Sequence, residues 1–383
     1  MLSLLLYTVA IVISIYWLFA KLSKNSSLSH ILGPKGIPFL GNILQLDPER
    51  PFLQLAKWAK QCGGIYKLNL AGQNVLVVND YNLIHQVLVS KGGDFSGRPK
   101  SFRMGSLTGN YSEFSFEDCT QKMKHMKKVF MGHVKMYGSG LQHNESVVLG
   151  KTGELVSRLS AANGQKVLVM DQIMESVAGI VCCLAVGHEA SPQELDNIMT
   201  FVRQEISILA VGGNGELLDR FPWLRHFGNK TWKRIQKISK IQNSQYQEWK
   251  QQALENLADG DERSNSYIAK LLQIRKGENA LDYTDDNVNH TVWVMFAAGI
   301  GTTTSTLSSL INILAHRPDL QGKLYAETVK ILKGHALSLA NKPSMHYHMA
   351  TIYEALRYFL FSIQLCFHCL FWCTNQYLSG KIF

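Results

Sequence analysis

The sequence predicts a mainly α-helical domain with a small β-sheet, set behind an N-terminal transmembrane helix. Three observations predict it. Residues Leu2 to Ala20 carry no charged side chain. Residues 65–78 read as a single β-hairpin. The tracts after residue 118 follow helical spacing, ending in one of about thirty residues between Thr284 and Pro318.

The apolar run at the N-terminus, at 1.5 Å per residue, nearly spans a bilayer core of about 30 Å. Its basic residues, Lys21 and Lys24, follow the run rather than precede it, unlike the order in a cleaved signal peptide. The expectation is an uncleaved anchor over residues 1–20, with the main domain left in the cytosol by the positive-inside rule. Residues 21–50 are then a basic, proline-rich hinge.

Phe52, Leu55, Ala56 and Ala59 follow helical spacing. Ile65 to Leu70 and Val75 to Val78 flank Ala71-Gly72-Gln73-Asn74, a strand–turn–strand pattern. Tyr81 to Lys91 reads as a helix ended by Gly92-Gly93. Residues 100–118, rich in Ser and Gly, read as a loop. Helical tracts then run to Ala210, broken near Gly138 and Gly164. Thr231 to Leu257 alternates charged and apolar residues like a surface helix.

The net charge of +10 is modest for 383 residues. Its densest expression is Lys122, Lys124, Lys127 and Lys128, interleaved with Met123, Met126 and Val129, which reads as a solvated helix face. No basic-aromatic surface recurs, so nucleic acid is excluded as a partner. The seven cysteines form no paired framework, and a cytosolic domain keeps them reduced.

The long tract is the most informative. Thr284 suits an N-cap, with Asp285 and Asp286 complementing the helix dipole. Pro318 stops the helix at His316-Arg317. Its centre, Ala298-Gly299-Ile300-Gly301-Thr302-Thr303-Thr304, consists of poor helix formers, each glycine costing about 1 kcal/mol against alanine. Ala298 and Thr302 share a face, and the Thr302 hydroxyl can bond back to the carbonyl one turn earlier. Two readings stand side by side: a bare helix face for a flat ligand, or a small-residue crossing with another helix.

Several segments together, in order, resemble the cytochrome P-450 family of haem-thiolate monooxygenases, closest to its microsomal steroid- and drug-oxidising branch. The central stretch resembles the oxygen-activating helix, [Ala/Gly]-Gly-x-[Asp/Glu]-Thr-[Thr/Ser]. Gly33-Pro34-Lys35-Gly36-Ile37-Pro38 resembles the hinge after the anchor, and Phe95-Ser96-Gly97-Arg98-Pro99 the entry to the substrate lid. His316-Arg317-Pro318-Asp319 resembles the turn after the oxygen-activating helix, and Glu354-Ala355-Leu356-Arg357 the Glu-x-x-Arg motif. The resemblance implies a cytochrome P-450-like helical fold over residues 51–357, with haem b as cofactor. It places Thr302 in catalysis, Ala298 and Gly299 against the haem, Arg98 and Lys127 as ionic partners of its propionates, and Glu354 with Arg357 as a structural pair. It also implies an NADPH-cytochrome reductase partner, a lipophilic substrate and the endoplasmic reticulum membrane.

Four departures stand out. Gly301 occupies the place of the family's acid. The family's Trp-x-x-x-Arg appears as Met123-x-x-x-Lys127, which keeps the charge but loses the guanidinium fork and the indole donor. The family's later strands are missing beside the hairpin, which predicts open edge hydrogen bonds. No cysteine stands in the pattern Phe-x-x-Gly-x-x-x-Cys-x-Gly, so the axial thiolate is absent. The expectation is an incomplete domain, inactive as written, or a non-enzymatic anchored isoform that engages the reductase or the membrane. Residues 358–383 form a divergent hydrophobic tail that reads as intron-derived or frame-shifted sequence. Its Cys366, His368, Cys369 and Cys373 lack a second spaced pair, so no metal site is assigned.

Overall fold

The computed structural model describes residue 14 and residues 30–358, apart from positions 39, 48–49, 71, 99, 135–138, 210–213, 261–265 and 277–282, and the side chains of 139–143, 214–216 and 358. The expected anchor therefore lies outside the described residues but for residue 14, and the tail beyond residue 358 lies outside them.

Two packed units follow from the sequence pattern. In the first, helix α1 (Pro51–Cys62) starts on a proline, which suits an N-terminal turn whose N–H needs no partner. It turns Leu55 and Trp58 onto the hairpin β1 (Ile65–Leu70) and β2 (Gln73–Val78). The strands pair antiparallel from Ile65 opposite Val78 to Leu70 opposite Gln73. Alternate β1 residues Tyr66, Leu68 and Leu70 are buried, and the Tyr66 hydroxyl donates to the Leu55 carbonyl at 2.8 Å. The turn is two residues shorter than the flanking pattern predicts, because Gln73 and Asn74 join β2 and Gly72 takes φ +91°.

The expected open edge is corrected on the β1 side, where the hinge covers it. Lys67 N–H donates to the Leu32 carbonyl (2.8 Å), Asn42 N–H to the Asn69 carbonyl (2.6 Å), and Asn69 N–H to Asn42 Oδ1 (2.9 Å). Backbone approaches backbone so closely that a Cβ at Gly33 or Gly41 would overlap the Lys67 and Asn69 carbonyls. Paired backbone groups therefore replace the edge that the hairpin alone leaves unsatisfied.

Residues Tyr81–His85 form α2, which widens to π geometry over Gln86–Ser90. Residues 100–118 are not all loop. Phe102–Leu107 is a helix, α3, because Ser101 caps it by accepting from Met104 N–H (3.2 Å) and because Met104 and Leu107 are buried.

The second unit holds α4 (Gln121–Val134), α5 (Ser139–Ala161), α6 (Val169–Val186), α7 (Pro192–Leu209), α8 (Asn214–Arg220), α9 (Lys230–Asp259), α10 (Tyr267–Lys276) and α11 (Asp285–His316). One continuous core joins α6, α7, α9, α10 and the first half of α11. At its centre Trp249, Trp293, Phe296 and Phe201 stack with ring centroids 4.6–5.4 Å apart. Among the described residues α6 and α11 are each long and apolar enough to cross a bilayer, but both feed this core. Helix α9 is the amphipathic helix expected, with Ile235, Ile238, Tyr246, Trp249 and Ala253 facing inward. Beyond α11, α12 (Pro318–Leu332) and α13 (His346–Tyr358) pack on its second half and on each other.

Candidate functional site

Helix α11 begins and ends where its sequence says. Thr284 and Asn287 form a reciprocal capping box: each side chain accepts from the other's backbone N–H. Asp285 in the first turn takes Lys250 at 2.6 Å and also pairs with Arg275. At the other end Arg317 precedes Pro318, which opens α12.

The central stretch satisfies both readings, on different sides of one helix. The Thr302 hydroxyl donates to the Ala298 carbonyl at 2.7 Å, as the spacing predicts, and Ala298 is exposed. That pair forms a small-residue face with an oxygen acceptor at its rim. Gly299 points elsewhere: a Cβ there would sit 3.2 Å from Val181 Cγ2 of α6. Gly301 faces α7, at 3.6 Å from Ile206 Cδ1 and 3.7 Å from Val202 Cγ1 by the same construction. The structure thus brings Ala298 and Thr302 together and turns Gly299 and Gly301 into helix crossings.

The other sequence-selected residues are spread apart. Arg98 is half-buried and spends its guanidinium on backbone carbonyls: Nε donates to Ser115 (3.1 Å) and Nη1 to Ser96 (2.9 Å). Its own N–H donates to Asp118 Oδ1 at 2.9 Å. Lys127 on α4 is exposed, as are Lys124 and Lys128, and none of the three pairs with a carboxylate among the described residues. Glu354 and Arg357 form a two-pronged pair, both bonds 2.7 Å, with both side chains in solvent. Each group favours its partner's charged form, so Glu354 is lowered and Arg357 raised.

Sequence reasoning passed over several residues that pack elsewhere against α11 and α7. The loop after α3 makes a run of left-handed residues, Gly109, Asn110 and Tyr111, at φ 55°, 60° and 63°. It is held down by Tyr111 Oη donating to the Ser101 carbonyl (2.6 Å) and by Asn287 Nδ2 donating to the Ser112 carbonyl (2.6 Å). Residue 109 has to be glycine, because a Cβ would overlap the His290 ring of α11. Burial lowers His290 to about 4, so it stays neutral. Glu113 is fully buried and accepts from Ser115 N–H and Oγ (2.5 and 2.6 Å) and Phe116 N–H (2.9 Å). Burial nonetheless raises its carboxyl.

Glu205 on α7 is half-buried, and burial together with the nearby Glu113 charge raises it to about 8. It lies three residues after Val202, one of the two side chains that meet Gly301. A signal was present in the sequence: Glu205 interrupts the apolar series Ile198, Phe201, Val202, Ile208 and Leu209 at helical spacing. Within α3, Arg103 is also buried, with Nε 2.8 Å from Asp219 Oδ2 and Nη1 donating to the Ile208 carbonyl at 2.6 Å.

The sequence profile described as Cytochrome P450 matches residues 31–371. The chain belongs to the cytochrome P450 family. The match runs past Arg357 to residue 371. This P450 chain is 28% identical over 309 residues to the steroid 17-alpha-hydroxylase/17,20 lyase of Mesocricetus auratus, covering 77% of its own length and 60% of that relative. It is 27% identical over 353 residues to the Gallus gallus enzyme of the same name, covering 86% and 68%. It therefore spans about three fifths to two thirds of the curated relatives it matches. A zebra fish cytochrome P450 structure with progesterone shares the fold at a TM-score of 0.69, with 24% identity over 80% of this chain and 70% of that one.

The family implies a haem. Two of the described thiols do not fit as its axial ligand: Cys182 is buried in the core on α6, and burial pushes it and Cys183 above the usual thiol range, away from the thiolate a metal needs. Cys119 is exposed and Cys62 packs beside the hairpin core.

Proposed function

We propose that this P450 domain is built for monooxygenation of a lipophilic substrate, and that the 383-residue polypeptide does not itself turn over. Haem b, when bound, supplies the oxygen activation of this family. The observation that carries the class is the open Ala298–Thr302 face on α11, where a hydroxyl lies beside small residues within a family-matched domain. The names of the relatives point to steroids as the substrate class. Thr302 acts as the hydroxyl that orients water or oxygen, Ala298 as the small residue that admits the macrocycle, and Lys127 as an ionic partner, whereas Gly299 packs on α6 and the Arg98 guanidinium is held by the Ser115 and Ser96 carbonyls. Gly301 leaves the proton route without its usual acid.

What supports inactivity of this polypeptide is ligand chemistry: none of the cysteines in these 383 residues stands in the family's Cys-loop pattern. Partners are the NADPH-dependent reductase and the lipid surface, with the endoplasmic reticulum membrane reached through the anchor over residues 1–20. Two experiments separate the claims. Incubation with reductase, NADPH and a steroid yields no oxygenated product from this polypeptide; product formation contradicts inactivity. Genomic sequence beyond the codon for Arg357 contains an exon encoding Phe-x-x-Gly-x-x-x-Cys-x-Gly; its absence contradicts the class.

The exposed, unpaired Lys124, Lys127 and Lys128 favour a second reading, a non-enzymatic partner that docks the acidic reductase. Replacing all three with Glu abolishes reductase retention in a pull-down on that reading, and unchanged retention removes it.

A further inference from the structure

We propose that residues 101–112 form a strap against the first half of α11 that opens as one unit, latched by Arg103 to Asp219 and tensioned by the left-handed turn at Gly109–Tyr111. The inference is independent of haem and of turnover. Arg103 is 6% exposed, and its backbone N–H and its Nε both donate to the Asp219 carboxylate of α8, each at 2.8 Å. Its Nη1 donates to the Ile208 carbonyl of α7 at 2.6 Å. Losing one partner would strand a buried charge, so this contact is made or released as a whole.

The tension lies just beyond α3. Glycine adopts the left-handed region freely and asparagine tolerates it, but Tyr111 at φ 63° is an outlier there. Such a residue persists only where its surroundings over-determine it, and residues of this kind concentrate at switch segments. Tyr111 Oη donates to the Ser101 carbonyl (2.6 Å), Tyr111 N–H to Thr108 Oγ1 (3.2 Å), and Asn287 Nδ2 of α11 to the Ser112 carbonyl (2.6 Å). Ser101 is the residue that caps α3, so the hydroxyl of Tyr111 ties the turn to the latched helix. The turn cannot relax while α3 is held, and α3 cannot leave while the turn is held. Closure also presses His290 against Gly109 and leaves its buried Nδ1 without a hydrogen-bond partner, an unfavourable state that opening relieves. Anchorage in the main core is slight: Leu107 is buried there and Phe102 packs against it. A segment held by polar contacts over stored strain opens at lower free energy than the core around it.

Native-state hydrogen exchange of the full chain, mapped by mass spectrometry with fragmentation to single amides, tests it. Gly105 and Thr108 report on α3, where their N–H groups donate to the Ser101 and Met104 carbonyls. Asn110 and Ser112 report on the turn, where theirs donate to the Gly105 and Thr108 carbonyls. The strap predicts one shared opening for all four, faster than the exchange of α6 and α9. Asp219→Asn, which weakens the latch, speeds all four by about tenfold. Tyr111→Phe, which removes only a hydroxyl and leaves the chain folded, speeds all four by about fivefold. Either variant acting on its own half alone, or on neither half, overturns the proposal. Strap amides that exchange as slowly as α6 and α9 in the unaltered chain overturn it as well, because residues 101–112 then open only when the whole unit unfolds.

Discussion

The two halves of α11 are equally apolar in sequence and differently placed in the fold. From Asn287 to Phe296 every residue but Val294 is buried, enclosed by α6, α7, α9 and α10. After Thr304 none is, although Leu307, Leu310, Ile311, Ile313 and Leu314 follow. Helix α12 buries no residue and α13 only Ala355 among its described side chains. Apolarity records a requirement for cover, and what meets that requirement is decided by elements far away in the sequence. The change occurs at Gly299–Thr304, where the helix passes from core to open face.

The sharpest contrast is made by truncating one side chain in each half. Trp293→Ala removes the centre of the aromatic cluster and lowers unfolding free energy by about 3–5 kcal/mol in urea. Leu307→Ala in the open half changes it by less than about 0.5 kcal/mol. A comparable loss from both breaks the comparison.

The enclosed unit also depends on its buried charges. Arg103→Ala leaves Asp219 without its guanidinium, held by the N–H of residue 103, and the Ile208 carbonyl without its donor, lowering stability by about 3 kcal/mol in the same measurement.

Glu205 is the buried carboxyl of α7 beside this boundary, one turn from Val202, which meets Gly301. Its folded value of about 8 exceeds the ordinary 4.5, so across that window the folded chain holds a proton that the unfolded chain releases. Stability therefore falls as pH rises from about 4.5 towards 8, and the loss is complete above it. Glu205→Gln reduces the slope, leaving the share that Glu113 contributes, and gains about 1–3 kcal/mol over the unaltered chain on the alkaline side and nothing on the acid side. An identical slope in both proteins contradicts the placement of Glu205.

The smallest effect is expected at Glu354 and Arg357, both in solvent. Glu354→Ala leaves the urea midpoint unchanged. A marked loss would mean that the pair is enclosed, as in the family pattern.

Local chemistry made much of the fold legible. Thr284 and Pro318 bounded α11, Ile65–Val78 gave the hairpin, and the Thr302 back-bond to Ala298 followed from four-residue spacing. Features that need a distant partner were not legible. The hinge pairs with β1 through backbone groups that have no sequence signature. Helix α3 hides among Ser and Gly because its support comes from buried Met104 and Leu107. The left-handed run at Gly109–Tyr111 is fixed by contacts with Asn287 and His290 on α11, far along the chain. The Gly299 and Gly301 assignments depended on which neighbour each faces, and spacing along one helix cannot supply that.

Haem titration of the 383-residue polypeptide, followed by reduction under carbon monoxide, tests the central proposal that the Ala298–Thr302 face is present while none of the cysteines in these residues ligates a haem. The account predicts no stoichiometric uptake with a thiolate-type spectrum. One equivalent of haem bound with that spectrum contradicts it.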